Sequence, residues 1–213
     1  MKLRLTAGLL ACGLLSVGPA FSGTIGFEGV ANGFGSIADY YNGGTDIPVS
    51  GTPSSGPNLG VHFGLDLAAV ADPDHLTFAA IPGLGDSVMG VGGSGGDYAM
   101  TFATGSDHIA FQYSATADTM LSVAFTTGPA QLFTLLATNG GCDPSGPAFC
   151  SWTQATLDLA GRIATAMDFG ATSGVAAFDN IDVTTVPLPA GVWLLGWGLG
   201  ALGIARRRRA RAA

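Results

Sequence analysis

Between residues 23 and 186 the chain contains no lysine and one arginine, Arg162. The other seven of its eight cations lie in the first four or the last eight positions, while all fifteen acids fall between the two ends. The interior therefore carries fourteen net negative charges, although the formal charge of the 213-residue chain is only −7. An interior so poor in Lys and Arg cannot neutralise phosphates. This excludes a nucleic-acid binder and a phosphoryl-transfer site built on cationic clamps.

Other residues that carry chemistry are scarce too. Cys12 belongs to an N-terminal leader, which leaves Cys142 and Cys150. Two cysteines in an exported domain pair, because the compartment is oxidising. The intervening Asp-Pro-Ser-Gly-Pro-Ala-Phe at 143–149 is turn-rich and can bring its ends together. With no further cysteine and no histidine nearby, a zinc site lacks ligands. His62, His75 and His108 form no i,i+2 or i,i+4 pair and read as structural. Asp72-Pro73-Asp74-His75 reads as a solvated turn, with a loop cation site as the alternative. The chain has no EF-hand loop and no internal repeat of fixed period, which argues against a solenoid or propeller.

Two glycine patterns imitate known sites. Gly90-Val91-Gly92-Gly93-Ser94-Gly95 fits a dinucleotide fingerprint, and Gly92 to Gly96 fits a nucleophile elbow. Both motifs must open a helix, whereas the residues that follow, 97–102, read as a strand. A glycine loop is the reading that remains. A glycan hydrolase would need two acids at a defined separation across a cleft, and no such pair stands out among fourteen aspartates and one glutamate.

What is abundant points to β-structure. There are 34 glycines and 47% of residues are hydrophobic, too apolar for a disordered linker. Alternating runs recur at 109–114, 121–126, 132–136, 155–159, 163–169 and 181–184, separated by turn formers such as Thr127-Gly128-Pro129 and Asn139-Gly140-Gly141. Eight to ten short strands at this spacing predict an all-β, two-sheet antiparallel β-sandwich over residues 23–185.

The ends read as addresses. Lys2 and Arg4, an apolar stretch from Leu5 to Val17, and Ala20-Phe21-Ser22 make a secretory signal peptide over residues 1–22. The alternatives are a buried N-terminal helix and a lipoprotein signal around Leu9-Leu10-Ala11-Cys12. Residues 186–213 have three parts. Val186-Pro187-Leu188-Pro189 comes first, then an apolar run of 16 residues at 190–205, then Arg206-Arg207-Arg208-Arg209. The run is at the short edge for a single hydrophobic transmembrane helix, which needs about 17–25 residues. The arginines would hold its end in the cytoplasm.

This three-part order resembles the PEP-CTERM sorting signal in its VPLPA variant, with Leu188 where the commonest form has Glu. The resemblance implies a Gram-negative bacterium, transient anchoring in the inner membrane, cleavage near 186–190 by an exosortase, and release to the cell surface or extracellular matrix. A plain C-terminal membrane anchor is the alternative.

A second, broader resemblance rests on Ile25-Gly26-Phe27-Glu28, Tyr40-Tyr41-Asn42-Gly43-Gly44-Thr45, the stretch from Ser54 to Phe63, Cys142 to Trp152, and Phe178-Asp179-Asn180-Ile181. It is similar to exported PEP-CTERM proteins with a jelly-roll domain of galactose-binding-like type. In such jelly rolls an acid after the first strand and one before the last often share a structural Ca2+. Here these are Glu28 and Asp179, with Asn180 beside the second. Calcium takes six to eight hard oxygens, which a nearly cation-free acidic domain can supply. The alternative is that Asp179 and Asn180 only make the turn into the last strand. Tyr40, Tyr41 and Trp152 are candidate stacking surfaces for exopolysaccharide or other glycans, against the alternative that Trp152 is a packing residue. The expected function is binding or structure, not catalysis. A structural matrix component and a secreted glycan hydrolase are the alternatives.

Overall fold

The run Thr119-Met120-Leu121-Ser122-Val123-Ala124-Phe125 buries every second side chain, namely Thr119, Leu121, Val123 and Phe125. That is the two-residue period of a strand with one face on a core. In a computed structural model, described over residues 22–30, 34–72, 77–79, 87–92, 95–143 and 145–185, the same logic yields twelve strands. They are β1 (Ser22–Ile25), β2 (Phe34–Ser36), β3 (Ile47–Pro48), β4 (Val61–Phe63), β5 (Leu67–Ala71), β6 (Ser87–Val91), β7 (Ala99–Ala115), β8 (Thr119–Phe125), β9 (Gln131–Leu135), β10 (Thr153–Thr156), β11 (Ala164–Asp168) and β12 (Ala176–Thr185). Among the described residues the one helical element is a 3-10 turn at Gly170–Thr172. All strand pairs are antiparallel, in the order β3-β2-β5-β6-β12-β7-β11-β8-β9, with β1 added to β12 and β4 and β10 added to β7. The described residues form an all-β, sandwich-like unit within Ala20–Val186, its strands joined in one open antiparallel sheet rather than the two separate sheets expected from the sequence.

β7 organises the unit. Its first part lies between β4 and β11, and its later part between β12 and β10. Seventeen residues would extend about 56 Å if straight, longer than a domain of this size is wide. The strand turns at Gly105, whose φ is +80°, beside the register shift in β11 between Ala164 and Ala166. A Cβ at Gly105 would lie 2.4 Å from Ile163 Cγ2, so only glycine fits there. The sequence pattern read 97–102 and 109–114 as separate strands, whereas Ala99–Ala115 is one strand that continues through Gly105.

The main core runs from Ile25 to Val183 and includes Phe27, Phe63, Phe111, Phe169 and Phe178, all fully buried. Phe178 joins two edge-on ring pairs, with Phe111 at 5.5 Å and Phe169 at 4.9 Å between centroids. The compact unit therefore carries its own core. β5 faces two ways: Leu67 and Ala69 enter this core, while Val70 joins a smaller cluster with Phe78, Val88 and Ala177. Phe149 stacks on Phe78 at 5.3 Å, and a backbone bridge fastens the cysteine loop to residues 77–79. Cys142 and Cys150 are joined by a disulfide with Cα atoms 5.9 Å apart.

Among the described residues no helix is long and apolar enough to cross a membrane. The signal-peptide residues up to 21, and the sorting-signal residues Val186, Pro187, Leu188, Pro189 and Arg206 to Arg209, lie outside the described residues. So does His75.

Candidate functional site

The first and last strands pair directly, Ser22 opposite Thr184 and Ile25 opposite Ile181. This places the turn after β1 beside the middle of β12. Asp179 and Asn180 lie within β12 rather than before it. The pairing with β7 shifts register between Asp179 and Asp182, and Asn180 adopts a left-handed φ of +45°. A bulge of this kind re-aims side chains that would otherwise alternate across the sheet. The expected turn into the last strand is thus replaced by a bulge inside it. Short-range pattern did not reveal this, because the run resumes its alternation at Ile181.

Asp179 is 2% exposed, and its Oδ1 accepts the backbone N–H of Asn180 at 2.7 Å. Burial pushes its carboxyl from 3.8 up to about 7, opposed by that hydrogen bond and reinforced by the nearby charge of Glu28. Glu28 is exposed, and its Oε1 accepts the N–H of Ser87 at 2.9 Å. The Asn180 side chain lies over the turn, with its Oδ1 3.7 Å from where a Cβ on Gly26 would stand. The Gly26 carbonyl accepts the hydroxyl of Tyr41. Burial pushes that hydroxyl well above its usual range, helped by Tyr40, Asp179 and Glu28.

The turn after β1, the bulge of β12 and the Tyr40–Tyr41 segment thus bring oxygen-bearing groups near a buried carboxylate. Among the described residues the one ion pair is His62 Nδ1 with Asp39 Oδ1 at 2.7 Å, so no described cation pairs with Asp179. The donors are hard oxygens, the kind that calcium takes. No described group of three His, Cys, Asp or Glu side chains is gathered to hold a metal ion. A cation here would rest on two carboxylates, with amide, backbone and water oxygens completing its shell.

Tyr40 and Tyr41 do not offer surface rings. They are 9% and 4% exposed, packed edge-on at 4.9 Å, with Tyr41 also against Phe27 and Phe63. The glycine-rich context looked like an exposed loop, but Ile37, Ala38, Tyr40, Tyr41 and Asp46 turn inward while residues between them stay exposed. Tyr40 N bonds Ile37 O, and Leu59 N bonds Tyr41 O. Sequence reasoning therefore missed the role of Tyr41 as a donor beside the acid cluster. Its adjacency to Tyr40 carries no signal for it. Trp152 is half-buried, packs on the Phe78 cluster and donates from Nε1 to Ala79 O at 3.1 Å.

Val91 ends β6 and Ala99 opens β7, and the described residues 95–98 between them form no helix for a nucleotide or an elbow. Asp72 Oδ2 accepts the N–H groups of Thr77 and Phe78, both at 2.7 Å, as a loop-closing acid does. No protein-family model matches the chain, and no curated protein matches it.

Proposed function

We propose that this chain is an exported, non-catalytic binding module of the cell surface or extracellular matrix. In this reading its domain is of jelly-roll type, and an exosortase releases it from transient inner-membrane anchoring. A structural Ca2+ ion held by Glu28, Asp179 and Asn180 ties the first strand to the last. The observation that carries the calcium part is Asp179, a buried carboxylate with a second carboxylate beside it and no described cation to neutralise either. A hard divalent ion would supply the missing charge and stabilise the fold by linkage. The localisation rests on the two terminal segments and their resemblance.

Calcium binding is tested by thermal melts of residues 20–186 in chelator and in millimolar Ca2+. The midpoint should rise with Ca2+, should not rise with Asp179→Asn, and should rise less with Glu28→Gln. An unchanged midpoint in the parent protein sinks the calcium reading. Glycan association, if it occurs, falls to Trp152 alone among the three aromatic candidates. Binding across a broad glycan panel, lost in Trp152→Ala, is the expected result. Flat curves for the parent favour a purely structural matrix component.

A further inference from the structure

The outer face of β3, β2, β5, β6 and β12, turned away from the main core, forms a concave pocket of about 840 Å3. This lies within the usual range for small-molecule sites, about 300–1,000 Å3. One row of paired residues crosses its floor: Ile47, Ser36, Ala68, Gly90 and Ala177, each opposite the next. With strands about 4.8 Å apart, the floor is about 19 Å across. Three of the five are Ala or Gly, which keeps the middle low. Val70 and the Phe78–Phe149 stack rise on one side, and Leu65, 58% exposed, stands on another.

Four polar side chains, Ser36, Asp66, Asp72 and Thr77, break the apolar lining. Asp66 and Asp72 lie two residues beyond Ala68 and Val70 along β5, one at each end of the pocket. Asp66 Oδ2 accepts the N–H of Asp97 at 2.9 Å, a neutral donor that leaves its charge in place. Ser36 Oγ, on the floor row, is the one buried side-chain polar atom without a hydrogen-bond partner among the described residues. No described Lys or Arg lines the pocket. An anionic ligand would meet the Asp66 carboxylate in a chain whose stretch from 23 to 186 carries fourteen net negative charges. A sugar would find one half-buried ring, Phe149, and few side-chain donors.

We propose that this pocket binds a linear alkyl chain with a cationic head group, the chain lying on the Ser36–Ala68–Gly90–Ala177 floor and the head against Asp66. The proposal is independent of the calcium reading, since it uses none of those residues. Charge of opposite sign at the rim sets the preference for the head, and apolar burial supplies the affinity.

The test is calorimetric titration of residues 20–186 with decyltrimethylammonium, decyl maltoside and decyl sulfate, each below its micelle concentration. The ammonium probe should bind saturably, about tenfold or more tighter than the sulfate. Asp66→Asn should remove most of that preference while keeping the acceptor for Asp97. Gly90→Val should weaken all three probes, since a Cβ there stands 3.2 Å from Val70 Cγ2 on the floor. If Gly90→Val does not fold, Leu65→Lys on the exposed rim replaces it and should weaken the ammonium probe while sparing the sulfate. Non-saturable uptake, equal affinity for all three heads, or indifference to both Asp66→Asn and Leu65→Lys overturns the proposal. Binding of the maltoside alone, competed away by free maltose, also overturns it and assigns the pocket to a sugar.

Discussion

Arg162 lies over the ring of Phe125, its guanidinium carbon 3.6 Å from the ring centroid. Its donors go to neutral oxygens: Nε to Leu159 O at 3.3 Å, one terminal nitrogen to Pro129 O at 3.4 Å, and the other to Gln131 Oε1. The single cation of the interior is thus spent on joining the loops around β9 and β11. No described acid pairs with it.

Arg162→Ala should therefore destabilise the unit by about 1–3 kcal/mol, the sum of a cation–π contact and hydrogen bonds to two backbone carbonyls and one side-chain amide. Arg162→Lys should recover little of this, because an ammonium cannot serve three acceptors in a plane while lying on the ring. Urea midpoints of the three proteins check it. Full recovery by lysine would mean that charge alone matters at this position.

Asp179 gives the unit an unusual pH response when no cation is present. Its folded carboxyl titrates at about 7 against an ordinary 3.8. The folded state holds this proton through a range where the unfolded chain has lost it. The stabilisation by the protonated form is full below about 3.8, declines as pH rises, and is gone above about 7. In chelator the parent should be less stable at pH 8 than at pH 5, by on the order of a few kcal/mol, and Asp179→Asn should remove that difference. Asp39, held below the usual carboxylate range by its hydrogen bond from His62, and Asp143, held low by Ser145, do not titrate in this window. A variant with the same pH slope as the parent would refute the assignment to Asp179.

Gly105→Ala should cost about 2–4 kcal/mol, combining a left-handed backbone with a contact no Cβ tolerates. The double variant Gly105→Ala/Ile163→Ala separates the two causes. Removing the Ile163 branch relieves the clash but not the backbone term, so the two losses should sum to less than additive. Chemical denaturation of the four proteins in this cycle reads it. Strict additivity would show that the bend depends on something other than this contact.

The exported protein, recovered from the culture medium or the cell surface, should end near residues 186–190 and begin near Gly23. Intact-mass spectrometry decides this. A mature species that keeps Arg206 to Arg209 would remove exosortase processing from the reading and leave a plain anchor.

The β-character was legible because it is local. Alternation at 121–125 or 181–184 and the turn formers between runs need only neighbours a few residues apart. Charge segregation between ends and interior was legible for the same reason, as was the short cysteine loop. Glu28 and Asp179 were picked out by resemblance, not by any pattern around them.

The rest was decided by residues far apart in the chain. Ile25 meets Ile181 across the β1–β12 pair, and only that pairing puts Glu28 in the field of Asp179. Tyr40 and Tyr41 sit among glycines and asparagine, yet packing on Phe27 and Phe63 buries them. Ala68, Gly90 and Ala177 are unremarkable singly and make a floor only because three strands align them. Composition and periodicity by themselves determined an acidic, all-β chain, because these properties depend on residue type and short spacing. Which acid is buried, which aromatic is hidden and where a pocket opens depend on strand pairing and burial, and those exist only once the chain has folded.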